Sequence, residues 1–217
     1  MTTSYQLFIF DFDGTLADSF PLFVRSFNAV AEGYGIKPMN PAELDQLRTL
    51  GSRQLMQQLH ISAWKVPLVA YSVRRLMTRG LQEVCLFEGV SDLLRTAVKA
   101  HKQVAIVSSN SEANVRRVLG PELASLISHY QCGTSLFGKA RAFRQVIRRA
   151  GVSSSEALCI GDEIRDYEAA RSEGLAFGGV SWGYTQPDTL RALPNACFFD
   201  AVADIAHWLP TPKAAAH

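Results

Sequence analysis

Four short, nearly unbroken apolar runs punctuate the chain: Leu7 to Phe10, Val104 to Val107, Ala157 to Ile160 and Phe177 to Val180. Their length and continuity predict strands buried on both faces. A fifth strand is predicted near Ile127 to Cys132 and a sixth near Ala196 to Phe199. Between these runs the period lengthens to that of a helix. Val90, Leu93, Leu94, Ala97 and Val98 share one face over Val90 to Ala100, and Ala140, Phe143, Val146, Ile147 and Ala150 do so over Ala140 to Ala150. Tyr167, Ala169 and Ala170 continue the pattern over Asp166 to Glu173. Strand–helix alternation of this kind predicts an α/β fold built on a doubly wound parallel sheet.

The stretch from Leu16 to Leu86 departs from that alternation. It carries helical periodicity with no clear strand: Phe23, Phe27, Val30 and Ala31, then Leu44, Leu47, Leu55, Met56 and Leu59, then Val69, Val73, Leu76 and Met77. Ser19 reads as the N-cap of the first of these helices, with Pro21 in its first turn. An all-helical cap inserted directly after the first strand is therefore expected. The predicted organisation is a core over 1–17 and 84–209, a helical cap over 18–83 and a frayed tail over 210–217.

Composition adds limits rather than direction. The chain has 217 residues, 47% apolar, with a mean hydropathy of +0.03, which fits a globular protein and argues against disorder. A net charge of +2 is too small to imply nucleic acid or an anionic membrane as partner. No run approaches the ~18 apolar residues of a membrane span, and the N-terminus lacks a signal-peptide pattern. Cys85, Cys132, Cys159 and Cys197 are widely spaced in or beside apolar segments, without a CxxC pair. Reduced, buried thiols and a cytoplasmic location are expected.

The chemistry gathers where apolar runs end. Asp11-Phe12-Asp13-Gly14-Thr15 follows the first run, so two carboxylates sit on the loop leaving a strand, the edge where open α/β sheets bind ligands. One can attack or hold a metal; the other, two residues on, can move a proton. Ser108-Ser109-Asn110 follows the second run, placing hydroxyl and amide donors at a strand exit. Lys139, just before an amphipathic pattern, offers an ammonium to neutralise a nucleophile and an anionic substrate together. Gly161-Asp162-Glu163-Ile164-Arg165-Asp166 follows the third run; Asp162 suits a hard cation such as Mg²⁺. Asp166 suits water-mediated metal binding or the start of a helix. In the cap, Arg48 to Arg53 reads as a loop reaching the leaving group, with Gly51 allowing close backbone approach and Arg53 placed to pair with a substrate anion.

Taken in order, the carboxylate pair, the hydroxyl, the lysine and the GDxxxDxxAA run resemble the four motifs of the haloacid dehalogenase superfamily over nearly the whole chain. Gly179-Val180-Ser181-Trp182-Gly183-Tyr184 is similar to its phosphoglycolate phosphatase-like branch. The resemblance implies a Rossmann-like core with a helical cap and a Mg²⁺-dependent phosphatase acting on a small phosphorylated metabolite. It assigns Asp11 as nucleophile, Asp13 as acid and base, and Ser108 and Lys139 as catalytic partners. It places Gly14, Thr15, Ser109 and Asn110 at the substrate. Mg²⁺ would be held by Asp11, the Asp13 carbonyl and Asp162, with Asp166 nearby. One departure is Lys139-Ala140, where many relatives have Lys-Pro. A dehalogenase or phosphonate hydrolase has no use for Asp13; a phosphomutase of the β-phosphoglucomutase type retains it, and a non-catalytic phosphate- and Mg²⁺-binding protein is the reading outside enzymes.

Overall fold

The computed structural model describes residues 5–135 and 138–209. The predicted tail, 210–217, lies outside them. In chain order the elements are β1 (Leu7–Phe10), β2 (Ala17–Asp18), α1 (Phe20–Ala31), α2 (Leu44–Leu47), α3 (Ser52–Gln58), α4 (Val66–Arg79), β3 (Cys85–Leu86), α5 (Val90–Lys99), β4 (Gln103–Val107), α6 (Glu112–Ser125), β5 (His129–Gln131), α7 (Lys139–Ala150), β6 (Ala157–Gly161), α8 (Ile164–Ser172), β7 (Ala176–Val180), α9 (Pro187–Arg191), β8 (Cys197–Phe199) and α10 (Val202–Ala206).

Six strands form one parallel sheet in the order β5-β4-β1-β6-β7-β8. β1 is central, pairing Leu7 with Gln103 on one side and with Ala157 on the other. Strand alternation splits its side chains between two layers. Phe8, Phe10, Val104, Ile106, Leu158 and Ile160 join Leu93, Leu94, Val115, Leu119 and Ile205 in one. Leu7, Ile9, Ala105, Val107, Ala157 and Cys159 join Ala142, Phe143, Val146, Tyr167 and Ala170 in the other. Burial on both faces is why these strands are written as continuous apolar runs rather than alternating ones. It also makes the architecture the doubly wound α/β fold expected.

The helices between β2 and β3 share an apolar cluster of their own, around Phe27, Val30, Met39, Leu47, Leu59, Val69 and Val73. β2 and β3 pair antiparallel, Ala17 with Leu86 and Asp18 with Cys85, so the helical segment leaves and re-enters beside a two-stranded stem.

Local expectations needed correction at several points. Ser19 precedes α1 but makes no capping hydrogen bond; its hydroxyl is engaged with the Tyr184 hydroxyl at 2.9 Å. Lys139 is the first residue of α7, not a residue before it, and α8 begins at Ile164. α6 gave no clear periodic signal because Gly120, at φ 73° and ψ 166°, and Pro121 break its register midway. Of the thiols only Cys159 is buried, and Cys85 on the stem is exposed.

Candidate active site

Parallel strands deliver their C-terminal ends to one edge, and β1, β4 and β6 are neighbours there. Asp11 therefore leaves β1 beside Ser108 leaving β4 and Asp162 leaving β6. Asp11 is 5% exposed, Lys139 2%, Asp166 1% and Asp162 not at all, so the charges lie in a region of weak screening.

Lys139 organises the cluster. Its Nζ donates to Asp11 Oδ2 at 2.5 Å and also to Asp166 Oδ1. Burial pulls the ammonium pKa down, but the Asp11 and Asp166 charges together outweigh it and hold the pKa above its ordinary value. Asp166 also accepts from the Glu163 N–H at 3.3 Å, closing the first turn of α8. Burial raises the Asp166 carboxyl despite the lysine beside it. Asp11 Oδ1 accepts from the N–H of Phe12 at 2.7 Å, which turns the carboxylate along its own loop.

Asp162 is held from both oxygens. Thr15 Oγ1 donates to Oδ1 at 2.8 Å, and the Tyr184 N–H donates to Oδ2 at 2.7 Å. Burial, followed by the charge of Glu163, raises its carboxyl strongly. The loop after β7 can wrap this closely because it contains Gly183: a Cβ there would lie 2.0 Å from Asp162 Cβ. Gly14, at φ +80°, is held by the same crowding, since a Cβ would lie 2.2 Å from Asp162 Oδ2. Asp11, Asp162 and Asp166 present carboxylate oxygens within 4.8 Å of one another. An all-oxygen, buried donor set of this kind fits a hard divalent cation.

Asp13 stands apart from that cluster and lines a cavity of about 280 Å³ between core and cap. Its Oδ2 accepts from Asn110 Nδ2 at 3.3 Å. Burial first, then the Asp11 charge, push its carboxyl up to about 6. Two carboxyls two residues apart thus have different surroundings, one paired with an ammonium and one facing the cavity. Ser109 and Asn110 also line the cavity. Ser108 lies beneath, its Oγ accepting from the Asn110 N–H at 3.0 Å.

The cap wall is mostly apolar, with Phe20, Phe23, Leu47 and Leu55 among its residues, and Gly51 reaches it as expected. Arg53 does not line it and is exposed on α3. Thr15 does not line it either; its hydroxyl is spent on Asp162. The cavity arginines are instead Arg48, Arg74 and Arg165. Arg48 donates to the carbonyls of Gly183, at 2.7 Å, and Tyr184, at 3.0 Å, tying the cap to the loop that holds Asp162. Arg165 pairs with Glu163, while its Nε and Nη1 are buried without a partner among the described residues. Sequence reading passed over Arg74, Arg165 and the roles of Tyr184 and Gly183. The quoted Gly179 to Tyr184 run was the signal for the last two.

Comparison with known proteins agrees with this geometry. The model of the haloacid dehalogenase-like hydrolases matches residues 8–180, a span that includes every proposed catalytic and metal-binding residue. The chain belongs to the haloacid dehalogenase-like hydrolase family. This hydrolase is 38% identical over 188 residues to a phosphoglycolate phosphatase of Synechococcus elongatus, covering 86% of the chain and 89% of the relative. It is 26% identical to a 5'-nucleotidase of Pseudomonas aeruginosa, covering 87% and 88%. A haloacid dehalogenase-like family hydrolase from Streptococcus pneumoniae shares its fold with a TM-score of 0.76 at 19% identity, over 95% of this chain and 99% of that one. Within the family the hydrolase is a phosphatase of the phosphoglycolate phosphatase-like branch.

Proposed function

We propose that this phosphatase is Mg²⁺-dependent, hydrolyses small phosphate monoesters through an aspartyl-phosphate, and takes 2-phosphoglycolate as its lead substrate. The observation that carries the reading is the divergence of Asp11 and Asp13. Asp11 lies buried against Lys139 in the acidic cluster; Asp13 faces the cavity with its carboxyl raised to about 6.

In this reading Asp11 attacks phosphorus, forming an O–P bond as the bond to the ester oxygen breaks. Asp13 gives its proton to that departing oxygen. Asp13 then takes a proton from the water that attacks the aspartyl-phosphate, releasing phosphate and restoring Asp11. Lys139 offsets the charge that gathers on Asp11 and the phosphoryl oxygens, and the Ser108–Asn110 loop supplies donors beside them. Asp11 and Asp162, with the Asp13 carbonyl, would hold Mg²⁺, with Asp166 as their neighbour. When bound, the ion supplies Lewis-acid neutralisation between the two anions. The 38% identity to a phosphoglycolate phosphatase supports the substrate. A cytoplasmic setting rests on the four unpaired cysteines.

The test is phosphate release from a panel of esters, including 2-phosphoglycolate, sugar phosphates and nucleoside monophosphates, with and without Mg²⁺. Asp11→Asn serves as the blank. Mg²⁺-dependent release from 2-phosphoglycolate above the other esters, absent in Asp11→Asn, is expected. Appreciable release by Asp11→Asn overturns the nucleophile. Transfer of the phosphoryl group to a sugar phosphate instead of water makes the protein a mutase.

A further inference from the structure

We infer that Arg74, on cap helix α4, binds the carboxylate on the leaving group of the substrate and so sets the discrimination between esters that carry one and esters that do not. The inference rests on the phosphatase reading above. Its basis is a charge left over in the cavity. Of the three arginines that line it, Arg48 faces the Asp45 carboxylate at 3.7 Å besides donating to two backbone carbonyls, and Arg165 is paired with Glu163. Arg74 has no carboxylate partner among the described residues. Its Nε donates to Ala70 O in its own helix at 3.1 Å, and its Nη1 crosses from cap to core to Ser109 O at 3.3 Å. These neutral acceptors orient the guanidinium without cancelling its charge. The side chain is exposed, so an incoming ligand can reach it.

Position decides which part of the substrate it meets. Ser109 adjoins Asn110, whose side chain bonds Asp13 at 3.3 Å. Asp13 is the group that protonates the departing oxygen, so Arg74 sits on the leaving-group side. The phosphoryl group is met instead by Asp11, with Lys139 bonded to it at 2.5 Å. In a phosphorylated 2-hydroxy acid only one carbon separates the ester oxygen from the carboxylate, so the second anion must lie close to Asp13. The apolar residues of the cap wall, Phe20, Phe23, Leu47 and Leu55, offer such an anion no donor, and burying it against them unpaired is costly. A single planar guanidinium matches a monoanionic carboxylate. Because the Ser109 contact joins cap to core, this binding position is assembled only with the cap closed over the site.

The experiment compares 2-phosphoglycolate with 2-hydroxyethyl phosphate, which keeps the two-carbon chain and lacks the carboxylate, on the full-length protein with Mg²⁺. For Arg74→Gln, the ratio of kcat/KM between the two esters is expected to fall ~10–100-fold, the size of a lost charge-assisted hydrogen bond. Most of that loss should appear in KM for 2-phosphoglycolate. Arg74→Lys should recover part of the ratio. Thermal unfolding of each variant checks that it is folded. Equal losses on both esters would assign Arg74 to cap closure and overturn the inference, as would a ratio that does not move. A wild-type preference for the ester without the carboxylate overturns it while leaving the phosphatase reading intact. No phosphate release from either ester by the wild type overturns the phosphatase reading itself.

Discussion

Replacing Lys139 by methionine tests whether the acidic edge is held together by this one ammonium. Methionine keeps an unbranched, flexible side chain and removes the ammonium with its charge and its N–H donors. Lys139 touches Asp11 and Asp166, and all three side chains are at most 5% exposed. Removing one member of a buried ion pair typically costs about 3–5 kcal/mol. For a chain of this size each kcal/mol moves Tm by about 2–4 °C, so a drop of ~6–20 °C is expected for the metal-free variant at pH 8. The cost depends on pH in a definite direction. The Asp13, Asp162 and Asp166 carboxyls are raised by burial, Asp13 to about 6. A raised carboxyl contributes stability that is full below its unfolded pKa and lost as pH climbs through the folded one. The lysine is raised as well, so its contribution is full below its unfolded pKa and persists across pH 5–8. In the wild type the ammonium offsets the charge that develops as the carboxyls ionise; in Lys139→Met only the weaker pull of Arg165 on Asp166 remains. The gap in Tm between the two proteins should therefore widen from pH 5 to pH 8. Calorimetric melts in chelator at pH 5, 6.5 and 8 measure it. A gap that is flat or narrows with pH, or that stays under ~2 °C at pH 8, would refute the reasoning.

Two further outcomes follow from the same geometry. Thr15→Val preserves shape and deletes the 2.8 Å hydrogen bond to Asp162 Oδ1, so Mg²⁺ affinity by titration calorimetry should fall ~10–100-fold; an unchanged affinity would mean that the hydroxyl does not orient a ligand. Saturating Mg²⁺ should raise Tm, by ~2.7 kcal/mol of stabilisation at a hundred times its Kd. The rise should be larger at pH 7.5 than at pH 5, because protons compete for the raised carboxyls at Asp162 and Asp166; equal shifts at the two pH values would place the ion elsewhere.

The local code determined the strands, most of the core helices and the order of the chemical groups. Buried parallel strands must be apolar on both faces, and catalytic groups must follow them, so Leu7 to Phe10 before Asp11 and Ala157 to Ile160 before Asp162 are readable as text. The helical segment after β1 was readable for the same reason: its period changes. Local periodicity failed at α6, where Gly120 and Pro121 interrupt it, and at Ser19, whose capping role gave way to a hydroxyl partner 165 residues away.

What only the tertiary structure decided is which charges meet. Arg53 and Arg74 are both arginines in helical stretches of the cap, and nothing within a few residues of either says that α3 turns one to solvent while α4 brings the other to Ser109. The Tyr184 N–H reaches Asp162 across 22 residues, and the Thr15 hydroxyl reaches it across 147. Hydrogen bonds and ion pairs act over a few ångströms of space, whereas hydrophobic periodicity acts along the chain. The sequence could therefore name the parts of the site, but the pairing of each charge was settled only when the sheet order and the docked cap placed distant segments side by side.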